Sequence, residues 1–373
     1  MKIELKSKEI FNFSYLHLNK RTIGVFEGLF FLSQRDRETL INTAKLIWER
    51  ILEKTKVENF LGVIRFDFVP EIEKILKIDK NSLDLGDIKI KGIYEVNVHS
   101  PECGAAIVTL HKLMPWLKKH QPNPAFLISK AIKQTIGDRK IIFVPGKGVV
   151  KKEWGKYFYE ELRNFLEILW MEEEVVMNSQ IDQSEVIWRW GDARINGPSE
   201  YSLEFILWLL KHPGIIFNTI PKSSNEDLGN KIFLMPEEGE NEWNALVGQN
   251  FLLSSEILEF SIKNRERLVL KPLLGSSGNN IFFGKNYSEA QWENLLRKFI
   301  FRGYGIFEAR WLSPIELFGK KIVFDLNSTF WATGKKLIYL YSVVRIDTLE
   351  NYSKRYVINV TQGGGFAGAC VEE

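Results

Sequence analysis

Apolar residues recur every three to four positions between 37 and 54, at Leu40, Ile41, Ala44, Ile47 and Ile51, and predict an amphipathic helix with one buried stripe. Segments 61–69 and 88–98 lose that period, are rich in β-branched residues, and read as strands. Polar residues 79–82 and the Gly86-Asp87 pair between them read as loop and turn. The middle of the chain alternates: a strand over 140–144 closed by Pro145-Gly146, a helix over 157–171, strand-like runs at 174–177 and 186–190, a helix over 201–211, and a strand over 215–218. That rhythm predicts a parallel sheet with crossover helices. Further on, 249–262 reads as helical, and 268–272 and 280–283 as short strands. Ser288 caps a helix to about 299, and 304–309, 321–331 and 335–346 are strands, the last two joined at Thr333-Gly334. Strand after strand with few helices indicates an α+β lobe. The expected class is therefore α/β and α+β.

Composition narrows the partners. The 373 residues are 45% hydrophobic and 26% charged, an ordinary globular balance, and suggest two or three domains at roughly 150 residues each. Lys+Arg minus Asp+Glu is 50 − 47 = +3, so neither nucleic acid nor a membrane surface is an expected partner. Two cysteines, Cys103 and Cys370, build no disulfide framework and suit a reducing compartment. The charged start Met1-Lys2-Ile3-Glu4 lacks the apolar run of a signal peptide, and no stretch approaches the ~20 apolar residues of a membrane span. The expectation is a soluble cytoplasmic protein.

Three constellations could carry chemistry. Arg65-Phe66-Asp67 and Glu95-Val96-Asn97 are each i, i+2 pairs on predicted strands, so each pair shares one sheet face. On neighbouring strands Asp67, Glu95 and Asn97 would converge as hard oxygen ligands suited to magnesium, with Arg65 to hold an anion. A solvated face with cross-strand charge pairs explains the same residues. Second, the apolar run Leu268-Val269-Leu270 delivers Lys271, and Gly275-Ser276-Ser277-Gly278 follows as a small-residue loop able to turn backbone N–H groups toward phosphate. A hairpin turn beside a surface lysine is the blander account. Third come Phe307-Glu308, residues 325–327, Arg345, and the tail 359–366 with its Gly363-Gly364-Gly365 triplet. The five histidines show no metal-ligand spacing. Cys103 has no identifiable base, and Arg189 is a weak anion-binding candidate at a strand end.

Read in order, these motifs resemble the circularly permuted ATP-grasp proteins, and among them the glutathionylspermidine synthase-like group, from about residue 60 to the end. The resemblance implies a Rossmann-like pre-ATP-grasp domain at 126–225, between an acidic metal-binding part at 1–125 and an ATP-binding lobe at 226–373. It implies that Asp67, Glu95 and Asn97 hold Mg2+, that Arg65 and Arg345 are catalytic, and that Lys271, Gly275, Ser276, Ser277, Gly278 and Glu308 bind ATP. The implied reaction is ADP-forming ligation of a small-molecule or peptide carboxylate to an amine through an acyl phosphate. The family often supplies a second ATP-binding lysine shortly before the Lys271 strand, and residues 248–253 contain none. A nucleotide-binding protein without ligase activity therefore stands as the alternative. A glycosyltransferase-like enzyme is a third reading, which leaves Lys271 and Gly363 unexplained.

Overall fold

The computed structural model describes residues 1–5, 14–18, 21–72, 77–78, 82–98, 103–147, 153–194, 199–218, 220–221, 227–274, 280–317, 319–358 and 364–371. Strands from both ends of the chain join one eleven-stranded sheet. Its path runs Lys77–Ile78, Ser82–Asp84, Lys2–Leu5, Arg21–Leu32, Gly365–Val371, Lys336–Thr348, Lys320–Thr333, Leu61–Glu71 and Lys89–Asn97. Ser14–Leu18 and Ile315–Leu317 pair off this path. Arg21–Leu32 and Gly365–Val371 pair in parallel and the other described neighbours are antiparallel, so the sheet is mixed. A second sheet is fully parallel, in the order Ile215–Phe217, Val186–Trp190, Ile141–Pro145, Ile168–Trp170. A third, antiparallel sheet runs Phe251–Leu252, Tyr304–Glu308, Leu268–Pro272, Phe282–Phe283. The class is mixed α/β.

The period of two along the central strands sorts their residues onto two faces. Ile64, Phe66 and Phe68, with Phe324, Leu326, Phe330, Val344 and Ile346, enter one apolar core. Helix Gln34–Thr55 covers it through Leu40, Ala44, Ile47, Trp48 and Ile51. A reciprocal capping box between Ser33 and Asp36 starts that helix and satisfies two of its orphan amides. On the opposite face the same strands carry Val63, Trp331 and Val343 in a second core, which contains the inner residues Phe143 and Trp188 of the parallel sheet. Farther along that face Val69 and Val323 enter another apolar cluster. Between the two lie Arg65, Asp67, Asp325, Asn327 and Arg345, a polar band inside an otherwise apolar surface.

Several expectations change in the structure. The 157–171 helix is instead helix Glu153–Leu162 followed by the edge strand Ile168–Trp170, because a short apolar run does not distinguish the two periods. The strand-like 174–177 is part of helix Glu173–Asn178, whose Glu173 and Glu174 lie in the favourable first turn. The 249–262 segment splits into strand Phe251–Leu252 and helix Leu258–Lys263, with Ser254 and Ser255 between them. Strands Lys2–Leu5, Ser14–Leu18 and Arg21–Leu32, and helices Cys103–Leu113 and Pro124–Ile136, were not foreseen. The tail is no loose end: Gly365–Val371 is a buried strand inside the large sheet. Gly368 packs tightly there: a Cβ would come within 3.0–3.1 Å of the Leu117, Gln121 and Leu29 side chains, which would have to give by a few tenths of an ångström.

Asn218 clips the parallel sheet to the large one. It sits just past strand Ile215–Phe217 with φ 56°, in the left-handed region that asparagine tolerates. Its Nδ2 donates to Val63 O at 2.7 Å and to Val98 O, and its own backbone N–H donates to Leu61 O at 2.7 Å. Asn218→Ala would leave both buried carbonyls without that donor. We expect a loss of about 2–4 kcal/mol by urea denaturation, and a loss under about 1 kcal/mol would contradict the clip.

Candidate functional site

The site is built on the polar band. Strands Leu61–Glu71 and Lys89–Asn97 are antiparallel neighbours, with Arg65 opposite Asn97 and Asp67 opposite Glu95. The register then slips by one residue, so Phe68 faces Ile93 and Tyr94 is the extra residue. Such a slip re-aims side chains locally. On the other side, strand Lys320–Thr333 sets Asn327 opposite Asp67 and Thr329 opposite Arg65, and strand Lys336–Thr348 sets Arg345 opposite Asp325. Four adjacent strands therefore present one continuous charged surface.

The charges interlock. Arg65 forks onto Asp67, Nε to Oδ1 at 2.6 Å and Nη2 to Oδ2 at 3.0 Å. Arg345 forks onto Asp325 at 2.6–3.1 Å, and its Nη2 also stands 3.4 Å from Asp67 Oδ2. Asn327 Nδ2 donates to Asp325 Oδ1 at 2.8 Å, and Asn97 Nδ2 donates to Glu95 Oε1 at 3.0 Å. Asp67 and Asp325 are each 1% exposed, which only such pairing makes tolerable. Burial pushes the Asp325 carboxyl up, with Arg345 opposing it, and the neighbouring acids push the Arg345 guanidinium up despite its burial.

A lysine pair completes the cluster from the small sheet's side. Leu268 and Leu270 enter that sheet's own core, so Lys271 projects from the opposite face. Its Nζ donates to the Tyr94 carbonyl at 3.2 Å, at the register slip, and lies 4.1 Å from the Phe307 ring centroid. Lys231, at the start of the short helix Lys231–Leu234, stands with Nζ 3.4 Å from Glu95 Oε2. Its backbone N–H donates to Leu273 O at 3.0 Å, two residues past Lys271. Burial first, then repulsion from Lys231, pulls Lys271 down to about 7 against the pull of Glu95. Burial would raise Glu95, but Lys231, Arg65, the Asn97 hydrogen bond and Lys271 together bring it to about 2.

Among the described residues, Arg65, Arg345, Lys231 and Lys271 thus face Asp67, Glu95 and Asp325, four cations to three acids when Lys271 is protonated. A partly dehydrated surplus of positive charge suits an anion such as a phosphoryl group. Among the described residues no three His, Cys, Asp or Glu side chains form a metal-binding group. Asp67, Glu95 and Asn97 nevertheless share one face, and two carboxylates with an amide oxygen are the partial ligand set magnesium takes when phosphates supply the rest. Arg65 holds both Asp67 oxygens in its fork and would have to release one to such an ion.

Glu308 ends strand Tyr304–Glu308, where the chain leaves the small sheet for the large one. Its Oε2 accepts from Gln249 N at 2.9 Å. Gly248 has φ +82°, and a Cβ there would lie 2.6 Å from Glu308 Oε2, so glycine is required. The connector is pinned where the Tyr94 hydroxyl donates to Arg310 O at 2.7 Å and Leu312 N donates to the Tyr352 hydroxyl at 3.2 Å. Burial, with Tyr352 and Asp325 nearby, pushes Tyr94 well up, keeping it a donor at neutral pH.

Arg65, Asp67, Glu95, Asn97, Arg345 and Lys271 therefore come together, and Glu308 lies at the connector. Gly275, Ser276, Ser277 and Gly278 lie outside the described residues, as do His99, Asn359 and Gly363. Arg189 is buried in the parallel sheet and donates to Gly191 O at 2.7 Å. Lys231 is the residue that sequence reasoning missed; the only available signal is the turn-forming run Asp227-Leu228-Gly229-Asn230 before it.

No family model matches the chain, and no curated protein matches it. Among solved structures it is similar to a glutathione synthetase-like effector (GSS30) from Globodera pallida in apo form, at 9% identity and TM-score 0.48, covering 97% of this chain and 93% of that one. No helix among the described residues is long and apolar enough to cross a membrane.

Proposed function

We propose that this chain is an ATP-dependent carboxylate–amine ligase of the circularly permuted ATP-grasp type. The observation that carries the reading is the meeting of Arg65, Asp67, Glu95 and Arg345 on the large sheet with Lys271 and Lys231. These residues come from both halves of the chain, in the permuted order of acid before lysine. In this reading Lys231, standing beside Lys271, takes the place of the second lysine that 248–253 lacks, and phosphate release separates the ligase from a nucleotide-binding protein without activity.

In this reading Lys271 and Lys231 bind the nucleotide phosphates, and Arg65 and Arg345 orient a substrate carboxylate for in-line attack. The carboxylate oxygen bonds to the γ-phosphorus as ADP leaves. The amine nitrogen then bonds to the acyl carbon, loses a proton, and displaces phosphate. Asp67, Glu95 and Asn97 would hold magnesium, which supplies charge neutralisation between phosphate oxygens. Positioning and charge carry such a transfer, so no covalent nucleophile is needed.

The test is calorimetry with ATP and Mg2+, followed by phosphate release with pooled acids and amines. Phosphate binding favours charged Lys271, whose pKa of about 7 leaves it largely neutral at higher pH. Binding at about pH 8 should therefore take up protons, seen as a buffer-dependent enthalpy, and affinity should fall as pH rises above about 7. No binding at any pH would defeat the proposal; binding without phosphate release from any acid–amine pair would favour the inactive binder.

A further inference from the structure

The turn that carries Lys231 is the meeting point of all three sheets. Lys231 reaches Glu95 on the large sheet, and its backbone N–H donates to Leu273 O just past the Lys271 strand. Its third anchor comes from the parallel sheet. Arg194, in the loop after strand Val186–Trp190, donates Nε to Asp227 Oδ2 at 2.7 Å, and the two side chains are 5% and 1% exposed. Asp227 closes the turn itself: its Oδ1 accepts from Gly229 N at 3.0 Å and its carbonyl accepts from Asn230 N at 2.7 Å. Asn230 Oδ1 then caps the helix of Lys231 by accepting from Ile232 N at 3.0 Å. Arg194 also stands 3.5 Å from Asp192, whose backbone N–H donates to Glu200 Oε2 at 3.2 Å. This places the chain of contacts at the carboxyl edge of the parallel sheet, where open α/β sheets bind ligands.

We propose that Arg194 and Asp227 are a positioning pair, which fixes Lys231 against Glu95 and ties its placement to the carboxyl edge of the parallel sheet. The pair acts on the turn, and the turn on the lysine. A long, flexible lysine side chain reaches Glu95 at 3.4 Å only from where its backbone is set. The consequence for nucleotide binding rests on the function proposed above; the placement of Lys231 does not.

The placement is measured without nucleotide. Acetic anhydride labelling of the free protein, read peptide by peptide, gives the rate at Lys231 relative to Lys263, which is 70% exposed. Asp227→Asn keeps an oxygen for Gly229 and removes the charge opposite Arg194, and it should raise the Lys231 rate several-fold. The Arg194→Gln/Asp227→Asn double variant removes both charges of the pair together and should do the same while melting nearer the wild type than either single variant. Unchanged ratios in folded variants would overturn the proposal, and so would failure of both variants to fold, which would make the pair general scaffold. In nucleotide titrations Asp227→Asn should weaken affinity about tenfold, the scale of supporting partners. The effect should largely vanish in a Lys231→Met background. Additive losses would overturn the pair's role. If the wild type binds no nucleotide, the ligase reading fails and the labelling ratio still decides the pair.

Discussion

Asp67→Ala is expected to destabilise the protein by about 3–5 kcal/mol, the largest effect of any single substitution in the cluster. Asp67 accepts the Arg65 fork at 2.6 and 3.0 Å and has Arg345 at 3.4 Å, so its removal leaves Arg65 without that acceptor inside the protein. Both guanidinium groups are mostly buried, at 12% and 19% exposure, so water restores little of what is lost. Glu95→Gln should cost less, because Glu95 is 23% exposed and an amide oxygen can still accept from Lys231. A third variant separates charge from shape. Arg65→Met with Asp67→Leu removes the pair together and should lose less than Asp67→Ala alone, since neither member of the fork is left facing the other's absence. Urea denaturation ranks the three. A loss below about 1 kcal/mol for Asp67→Ala would mean that the cations rearrange freely and that the band is not held as a unit.

That band was partly legible in the sequence, for a definite reason. Period two forces Arg65 and Asp67 onto one face, and Glu95 and Asn97 likewise, whatever the rest of the fold does. Helix Gln34–Thr55 and the strands bearing the two pairs follow from local pattern in the same way. Non-local pairing left no such trace. Nothing near Asp67 announces Asn327 as its neighbour, because sheet order brings the two together across 327 − 67 = 260 residues. Gly365–Val371 defied its composition: a glycine-rich tail reads as flexible, yet Gly368 is what lets that strand lie against Leu117, Gln121 and Leu29. Lys231 escaped because its role comes from a turn, and the stretch searched for a second lysine, 248–253, holds the edge strand Phe251–Leu252 instead. The register slip at Tyr94, which exposes the carbonyl that Lys271 uses, has no sequence signature at all.

Lys271→Met should stabilise the free protein at neutral pH while abolishing the nucleotide binding proposed for it. Burial and Lys231 hold the Lys271 pKa at about 7, far below its ordinary value of 10.5. Between those two values the unfolded chain binds more protons than the native one, so this lysine makes stability rise with pH. Its cost to folding is full below about pH 7 and fades toward 10.5. Methionine has similar length and no charge, and it can keep the contact with Phe307. It loses the hydrogen bond to the Tyr94 carbonyl at 3.2 Å and the attraction of Glu95. The net gain is expected at about 1–2 kcal/mol near pH 7, comparable to other substitutions that relieve functional strain. The gain should shrink as pH approaches 10, and taking the difference from wild type cancels the titration of groups that Lys271 does not perturb. Lys231→Met supplies the cross-check: without its repulsion the Lys271 pKa should climb, and the pH dependence of stability should flatten between about 7 and 9. If Lys271→Met instead lowers stability at neutral pH, the Tyr94 carbonyl and Phe307 ring outweigh burial, and the cluster stores no free energy for an anion to release.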